Sequence, residues 1–323
     1  EERVLLPIAD GGEGSLELLP LRELREHTVL DPLGRAIHGR TGLLEGAAFV
    51  ESAEACGRRH GPSDPMDGSS FGAGQLLQAA LQRSDRVVLA LGGSVTVDLG
   101  CGMAAALGAR WLDSQGRPCR PVPVELHRVQ RVEGMPRLAG LRVWADVDAP
   151  LLAEEGLDGR SFFRQKGVLE PERVLAGWRA VLAALERSGH SPSPGLAGGG
   201  AAGGMGLMAA MMGGRLESGG EAILDALELD EALGRARLVI TGEGCFDRQS
   251  LAGKGPGRVL ARARRLSVET LVLAGRVEPP LATTSVRGCS DSSLPLEEQL
   301  RRGASSLRDA AAAWWRDLAR PLL

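Results

Sequence analysis

The stretch Leu238–Gly257, LVITGEGCFDRQSLAGKGPG, joins an apolar run to two carboxylates and to one lysine set between glycines. Leu238, Val239 and Ile240 have the density of a strand buried on both faces, and Gly242 and Gly244 predict a turn after it. Glu243 and Asp247 are therefore expected to leave the carboxyl end of a strand, the edge at which open α/β sheets bind ligands. An acidic turn that caps a helix would share this pattern, but Lys254 follows it. Of the 38 basic residues only two are lysine, Lys166 and Lys254, and both adjoin glycine. Two residual lysines could be accidents of codon bias, but their glycine neighbours point instead to sites that want a compact ammonium on a flexible stem. Such a charge suits a phosphate or carboxylate oxygen.

The same design recurs along the chain. Residues 3–9 read as a short apolar strand that ends in Asp10, Gly11, Gly12, Glu13 and Gly14, with a helix expected from about 15 to 26. Asp10 and Glu13 fit catalysis and also fit an N-cap with its first-turn acid. Residues 86–91, RVVLAL, predict a buried strand that feeds Gly92, Gly93 and Ser94, a turn whose amides would cradle phosphate, with Asp98 as a further carboxylate. Ser69 and Ser70 open a helix expected to run to about residue 83, where they fit equally a helix cap and a start whose free amides hold an anion. Residues 141–145 predict a strand ending in Asp146 and Asp148, and Lys166 follows in the run FRQKG. Gly203 and Gly204 lie in GGGAAGGMG, equally a ligand loop or a close helix crossing, and Met205–Met212 reads as core.

Around these residues the chain of 323 residues is long enough for about two domains and a sizeable core. A hydrophobic share of 43% with 24% charged residues predicts a globular protein. A net charge of −3 without a basic stripe gives no reason to expect nucleic acid or a membrane surface as partner. No apolar run approaches a membrane span and no signal peptide opens the sequence, so a cytoplasmic location is expected. The five cysteines and five histidines show neither paired nor metal-binding spacing, and Cys245 reads as a small packing residue. Residues 27–54 alternate as antiparallel strands, 171–187 form a helix, and 270–274 add a buried strand. Residues 296–318 form a closing helix docked by Trp314 and Trp315.

Acidic strand-end turns with two lysines suit phosphoryl transfer, in which carboxylates hold Mg²⁺ and accept the substrate hydroxyl proton while ammoniums cover phosphates. Arg248 stands where a P-loop needs its first glycine, so the usual nucleotide motif is absent. No G-x-G-x-x-G follows a strand, which disfavours a nicotinamide-dependent oxidoreductase.

Six ordered motifs give a more specific reading: PIADGGEGS at 7–15, LGGSVTVDLGCG at 91–102, ADVDAPLL at 145–152, RQKG at 164–167, GAAGGMG at 200–206 and ITGEGCFDRQSLAGKGP at 240–256. Through them the chain resembles the type I glycerate kinases over nearly its whole length. The resemblance implies ATP-dependent phosphorylation of D-glycerate with Mg²⁺, 2-phosphoglycerate being expected over 3-phosphoglycerate. It also implies two α/β domains, one a flavodoxin-like doubly wound sheet. The chain departs from the family pattern at Phe163-Arg164, at Leu99, where glycine is common, and in lacking an initial strand with its Pro-Asp-Ser-Phe-Lys-Gly-Ser turn. The last departure motivates an alternative, a catalytically impaired relative that binds nucleotide and hydroxy acid.

Strand order predicts that residues 1–26 and 236–323 form the flavodoxin-like domain, with 27–235 inserted as a mixed α/β domain. Asp10, Glu13, Glu243, Asp247 and Lys254 are expected to be catalytic, with Asp10 and Glu243 as Mg²⁺ ligands. Gly92, Gly93, Ser94, Asp98, Lys166, Ser69, Ser70, Gly203 and Gly204 are expected to bind substrate or phosphate. The expected partners are small molecules alone, on a monomer or homodimer.

Overall fold

The computed structural model describes residues 3–9, 11–60, 65–145, 151, 163, 166–251, 255–279, 281 and 285–318. The chain divides into two compact α/β units, Ala9–Ala226 and a second that joins residues 1–8 to Leu227–Leu323. The boundaries expected at 26 and 236 thus fall at 8 and 227. Residues 11–30 belong with the inserted unit because they are bonded into it. The Glu51 carboxylate accepts the amides of Gly14 at 2.9 Å and Leu16 at 2.8 Å, and the strand that follows pairs there.

In the 9–226 unit the strands are β1 (Arg22–Leu30), β2 (Ala36–Leu44), β3 (Ala47–Glu51), β4 (Val87–Leu91), β5 (Arg110–Leu112), β6 (Arg131–Glu133), β7 (Leu141–Ala145) and β8 (Arg215–Ser218). Six of them form one sheet in the order β1-β2-β3-β4-β7-β8, while β5 and β6 pair separately. β1, β2 and β3 run antiparallel, and β3, β4, β7 and β8 run parallel, so four strands present their carboxyl ends at one edge. Ala48, Val50, Val87, Leu89 and Val143 point into a core shared with Leu76 and Leu77 of helix Phe71–Leu81, Met103 of Cys101–Ala106 and Trp178 of Pro171–Arg187. The alternating set, Phe49 and Trp144, meets edge to face across the sheet with ring centroids 5.7 Å apart.

Two expectations fail at the start of this unit. Residues 3–9 form no strand, and Val4 and Leu5 are exposed. The helix expected to about residue 26 stops at Leu18, and β1 begins at Arg22. Pro20 is the cause, since its ring disfavours helical backbone at the residue before it, and Leu19 is extended with ψ 148°. The strands expected in 27–54, the strand at 141–145, the helix at 171–187 and the buried methionines Met205, Met208 and Met212 are all present.

The second unit carries β9 (Leu238–Phe246), β10 (Glu269–Val277) and β11 (Val286–Gly288), a parallel sheet in the order β11-β10-β9. Leu271, Val272 and Ala274 of β10 are fully buried, as the sequence predicts for 270–274. β9 departs from expectation twice. Ile240 is 56% exposed, because β9 ends the sheet order among the described residues instead of being flanked on both sides. The strand also continues through Gly242, Glu243 and Gly244 without turning. A side chain at Gly242 would meet the Leu273 carbonyl oxygen at 2.1 Å, so this glycine serves the close approach of β10 and not a turn. The closing helix divides into Leu296–Arg301 and Gly303–Leu318; Trp314 is buried against Leu271 and Leu273, whereas Trp315 faces solvent.

The segment after β4 is tied to the rest of the 9–226 unit at several points. Trp178 Nε1 donates to the Val97 carbonyl at 2.9 Å, and Trp111 Nε1 to the Cys101 carbonyl at 3.0 Å. The Leu99 amide donates to Gly203 O at 3.1 Å. Leu99 itself adopts φ +58°, a left-handed backbone that glycine takes more readily than leucine. Asp98, wholly buried, accepts from Ser70 N at 2.7 Å, Ser70 Oγ at 2.8 Å, Gly102 N at 3.0 Å and Gly100 N at 3.1 Å. Asp98→Asn turns an N–H₂ group toward one of these donors, and leaving a buried donor unsatisfied costs about 1–3 kcal/mol. The variant is expected to melt at lower temperature and lower urea than wild type, which thermal and urea denaturation will show.

Candidate functional site

At the carboxyl edge of β3, β4, β7 and β8, two glycine loops lie directly on one another. A Cβ on Gly92 would sit 2.4 Å from Gly12 Cα, and one on Gly93 would sit 2.6 Å from Glu13 Oε2. A Cβ on Gly11, which has φ +89°, would meet Gly219 Cα at 2.5 Å just after β8. The glycines after β4 are therefore required first by the approach of the 11–13 loop, a reason the sequence reading did not supply. Glu13 remains exposed while its side chain lies over Gly93.

Lys166 reaches the same turn. Its Nζ donates to the carbonyl of Ser94 and, at 3.2 Å, to that of Thr96. The Ser94 hydroxyl is 2.9 Å from Thr96 Oγ1 and accepts the Thr96 amide at 3.1 Å. Burial pulls the Lys166 ammonium down to about 7, against the opposing pull of Cys56 and Asp98. An ammonium whose charge is held only partly at neutral pH, beside backbone carbonyls, gains strongly from an incoming anion. Glu13, Gly92, Gly93, Ser94 and Lys166 are thus brought together, and all belong to the 9–226 unit, including Glu13, which was expected in the other domain.

Five further expected binding residues are committed to packing. Asp98 is a buried carboxylate whose charge is held by the starts of two helices; burial pushes its pKa up while its four donors oppose that shift. The Ser70 amide goes to Asp98 and the Ser69 amide to Pro32 O, so this helix start is occupied by the protein's own anion. Gly203 and Gly204 adopt φ +76° and +93°, and Cβ atoms there would meet Thr96 O at 1.9 Å and Leu99 Cδ1 at 2.6 Å. Of the two readings of that glycine run, the structure supports close crossing of buried backbone.

In the other unit, Glu243 lies within β9 and not on a turn, and its Oε1 is buried without a hydrogen-bond partner among the described residues. Asp247 does follow the strand end. It forms a reciprocal cap with Ser250, whose amide donates to Asp247 Oδ1 at 2.9 Å while Ser250 Oγ accepts the Asp247 amide at 3.0 Å. Cys245 is part-buried and takes a 3.5 Å contact from Arg276 Nη2. Asp10, Asp146, Asp148 and Lys254 lie outside the described residues. Among the described residues no group of three His, Cys, Asp or Glu is placed to hold a metal, and no helix is long and apolar enough to cross a membrane.

Sequence reading missed Glu51 and Glu54. Glu51 ends β3 as a buried carboxylate, raised by burial and by the nearby Glu54 and Glu13. Glu54 is also buried; burial works to raise its pKa, but Arg40 at 3.0 Å and Arg59 at 2.9 Å outweigh it and hold the group low. The signal for Glu51 was available: AAFVE is one more apolar run that ends in a carboxylate.

The family model described as the glycerate kinase family matches residues 1–319. Glycerate kinase of Bacillus cereus is 32% identical over 345 residues, covering 97% of this chain and 89% of that protein. Glycerate 2-kinase of Escherichia coli is 33% identical over 88% of this chain and 79% of its own length. The crystal structure of a glycerate kinase 2 candidate from Salmonella typhimurium LT2 superposes with a TM-score of 0.75 at 33% identity, covering 98% of this chain and 89% of that one. Matched by the family model over nearly all of its length, and at about a third identity by these proteins, the chain belongs to the glycerate kinase family.

Proposed function

We propose that this protein transfers the γ-phosphoryl group of ATP to the 2-hydroxyl of D-glycerate, with Mg²⁺ as cofactor. The observation that carries the chemistry is one turn at the carboxyl edge of parallel strands, with the Lys166 ammonium fixed on its Ser94 and Thr96 carbonyls and the exposed Glu13 side chain lying over its Gly93. The glycerate 2-kinase name of the Escherichia coli relative supports the choice of hydroxyl.

In this reading the hydroxyl oxygen bonds to the γ-phosphorus as the bond to the β–γ bridging oxygen breaks, and ADP leaves. Glu13 accepts the hydroxyl proton. Lys166 and the backbone of Gly92–Ser94 meet phosphate or carboxylate oxygens. Glu243 Oε1, buried without a hydrogen-bond partner among the described residues, fits a cation, because a carboxylate oxygen removed from water needs a positive neighbour or a donor. There it would hold Mg²⁺, which when bound would neutralise phosphate charge as a Lewis acid. Lys254 is proposed as a second phosphate-facing ammonium, and Asp247 as the residue that shapes the start of helix Arg248–Leu251. No cytoplasmic assignment is needed for this chemistry.

Incubation of the protein with ATP, Mg²⁺ and D-glycerate is expected to give a phosphate monoester whose proton-coupled ³¹P signal is a doublet, from one proton on the esterified carbon. A triplet would assign the 3-hydroxyl, and no ester would refute the reading. For Lys166, kcat/KM for ATP is expected to fall as pH rises through about 7, because deprotonation removes the charge that faces phosphate. Lys166→Arg stays charged and should lose that limb; the same limb in the variant removes Lys166 from phosphate binding. Glu243→Gln should raise the Mg²⁺ needed for half-maximal rate by roughly tenfold, the worth of one charge-assisted contact, with kcat regained at high Mg²⁺. An unchanged Mg²⁺ titration takes Glu243 out of the metal site.

A further inference from the structure

Glu51 closes β3 and is 3% exposed. A carboxylate so far from water persists only where donors replace its hydration. Here the donors are two backbone amides from well upstream: Gly14 N reaches Oε1 at 2.9 Å and Leu16 N reaches Oε2 at 2.8 Å. These amides open helix Ser15–Leu18, whose N-cap Gly14 has no side chain to cap it. The strand therefore supplies the cap, and its grip falls on the residue directly after Glu13.

The loop under this grip is also tied from within, since Ser15 Oγ and the Ser15 amide donate to Gly12 O at 2.7 and 3.3 Å. Gly11 and Gly14 both have φ +89°, so the backbone there has the freedom of glycine on either side of Glu13. Its neighbours, Gly92, Gly93 and Gly219, approach without side chains. A loop that carries a reacting carboxylate needs a rigid tie, because misplacement by about 1 Å can cost ~10²-fold in rate.

We infer that Glu51 is a positioning residue for phosphoryl transfer, holding Glu13 over the Gly92–Gly93 turn through the amides of Gly14 and Leu16. This rests on the proposed role of Glu13 in the reaction. Glu51→Gln keeps the shape but presents N–H₂ to one of the two amide donors, so one tie becomes a donor–donor opposition.

The test combines kinetics with hydrogen exchange. In Glu51→Gln, kcat with ATP and D-glycerate is expected to fall roughly tenfold to a hundredfold while both KM values stay near wild type. In a Glu13→Gln background the same change should cost little further turnover, because the group it positions is already gone. Wild-type kcat in the single variant, or full additivity in the double variant, overturns the inference. In the wild-type protein, the amides of Gly14 and Leu16 should exchange as slowly as those of β3. Exchange at the rate of an open loop overturns it even if the variants do not fold. Protected amides in a wild-type protein inactive toward D-glycerate would refute the functional reading, and with it Glu51's part in catalysis, while leaving the cap in place.

Discussion

A carboxylate buried away from water must be met by donors, and the 9–226 unit uses this constraint twice at one sheet edge. Asp98 gathers the amides of Ser70, Gly100 and Gly102 with the Ser70 hydroxyl, which locks the segment after β4 to the starts of two helices. Glu51 gathers the amides of Gly14 and Leu16, which brings the loop after residue 8 to the end of β3. Between these anchors the two glycine loops touch along their backbones. Removing either anchor would leave buried amides without acceptors, so these carboxylates determine where the edge can sit.

Glycine has a correspondingly specific meaning here. Gly92 and Gly93 admit the 11–13 loop, Gly203 and Gly204 admit the segment 96–99, and Gly242 admits β10. In each case the absent Cβ permits an approach that any side chain would block. A phosphate-binding role for the turn after β4 then depends on its neighbours, above all on Lys166, whose ammonium is held at the carbonyls of Ser94 and Thr96. Burial lowers the hold of that nitrogen on its proton, so the charge is poised to respond to an anion.

Much of the chain was legible from local pattern. The parallel strands β4, β7 and β10, the helix Pro171–Arg187 and the buried methionines all follow from periodicity and residue type, while the six ordered motifs carry the family resemblance. The helix end at Leu18 was legible too, since Pro20 announces it, although the leucine spacing pointed past it. Glu243 was misread because a Gly-x-Gly run signals a turn only if no neighbouring strand pairs through it, and β10 does so.

The sequence by itself determined the family, the α/β class, and the residue types gathered around the glycine turns, because these depend on composition and order along the chain. Tertiary structure alone decided which carboxylates face solvent and which serve packing. Asp98 and Glu13 follow similar glycine turns, yet one is wholly buried among four donors and the other lies exposed over Gly93. The difference rests on contacts between residues far apart in sequence, such as Ser70 with Asp98 and Leu16 with Glu51, and on the water those contacts exclude. No local pattern encodes that exclusion, because desolvation is a property of the packed whole.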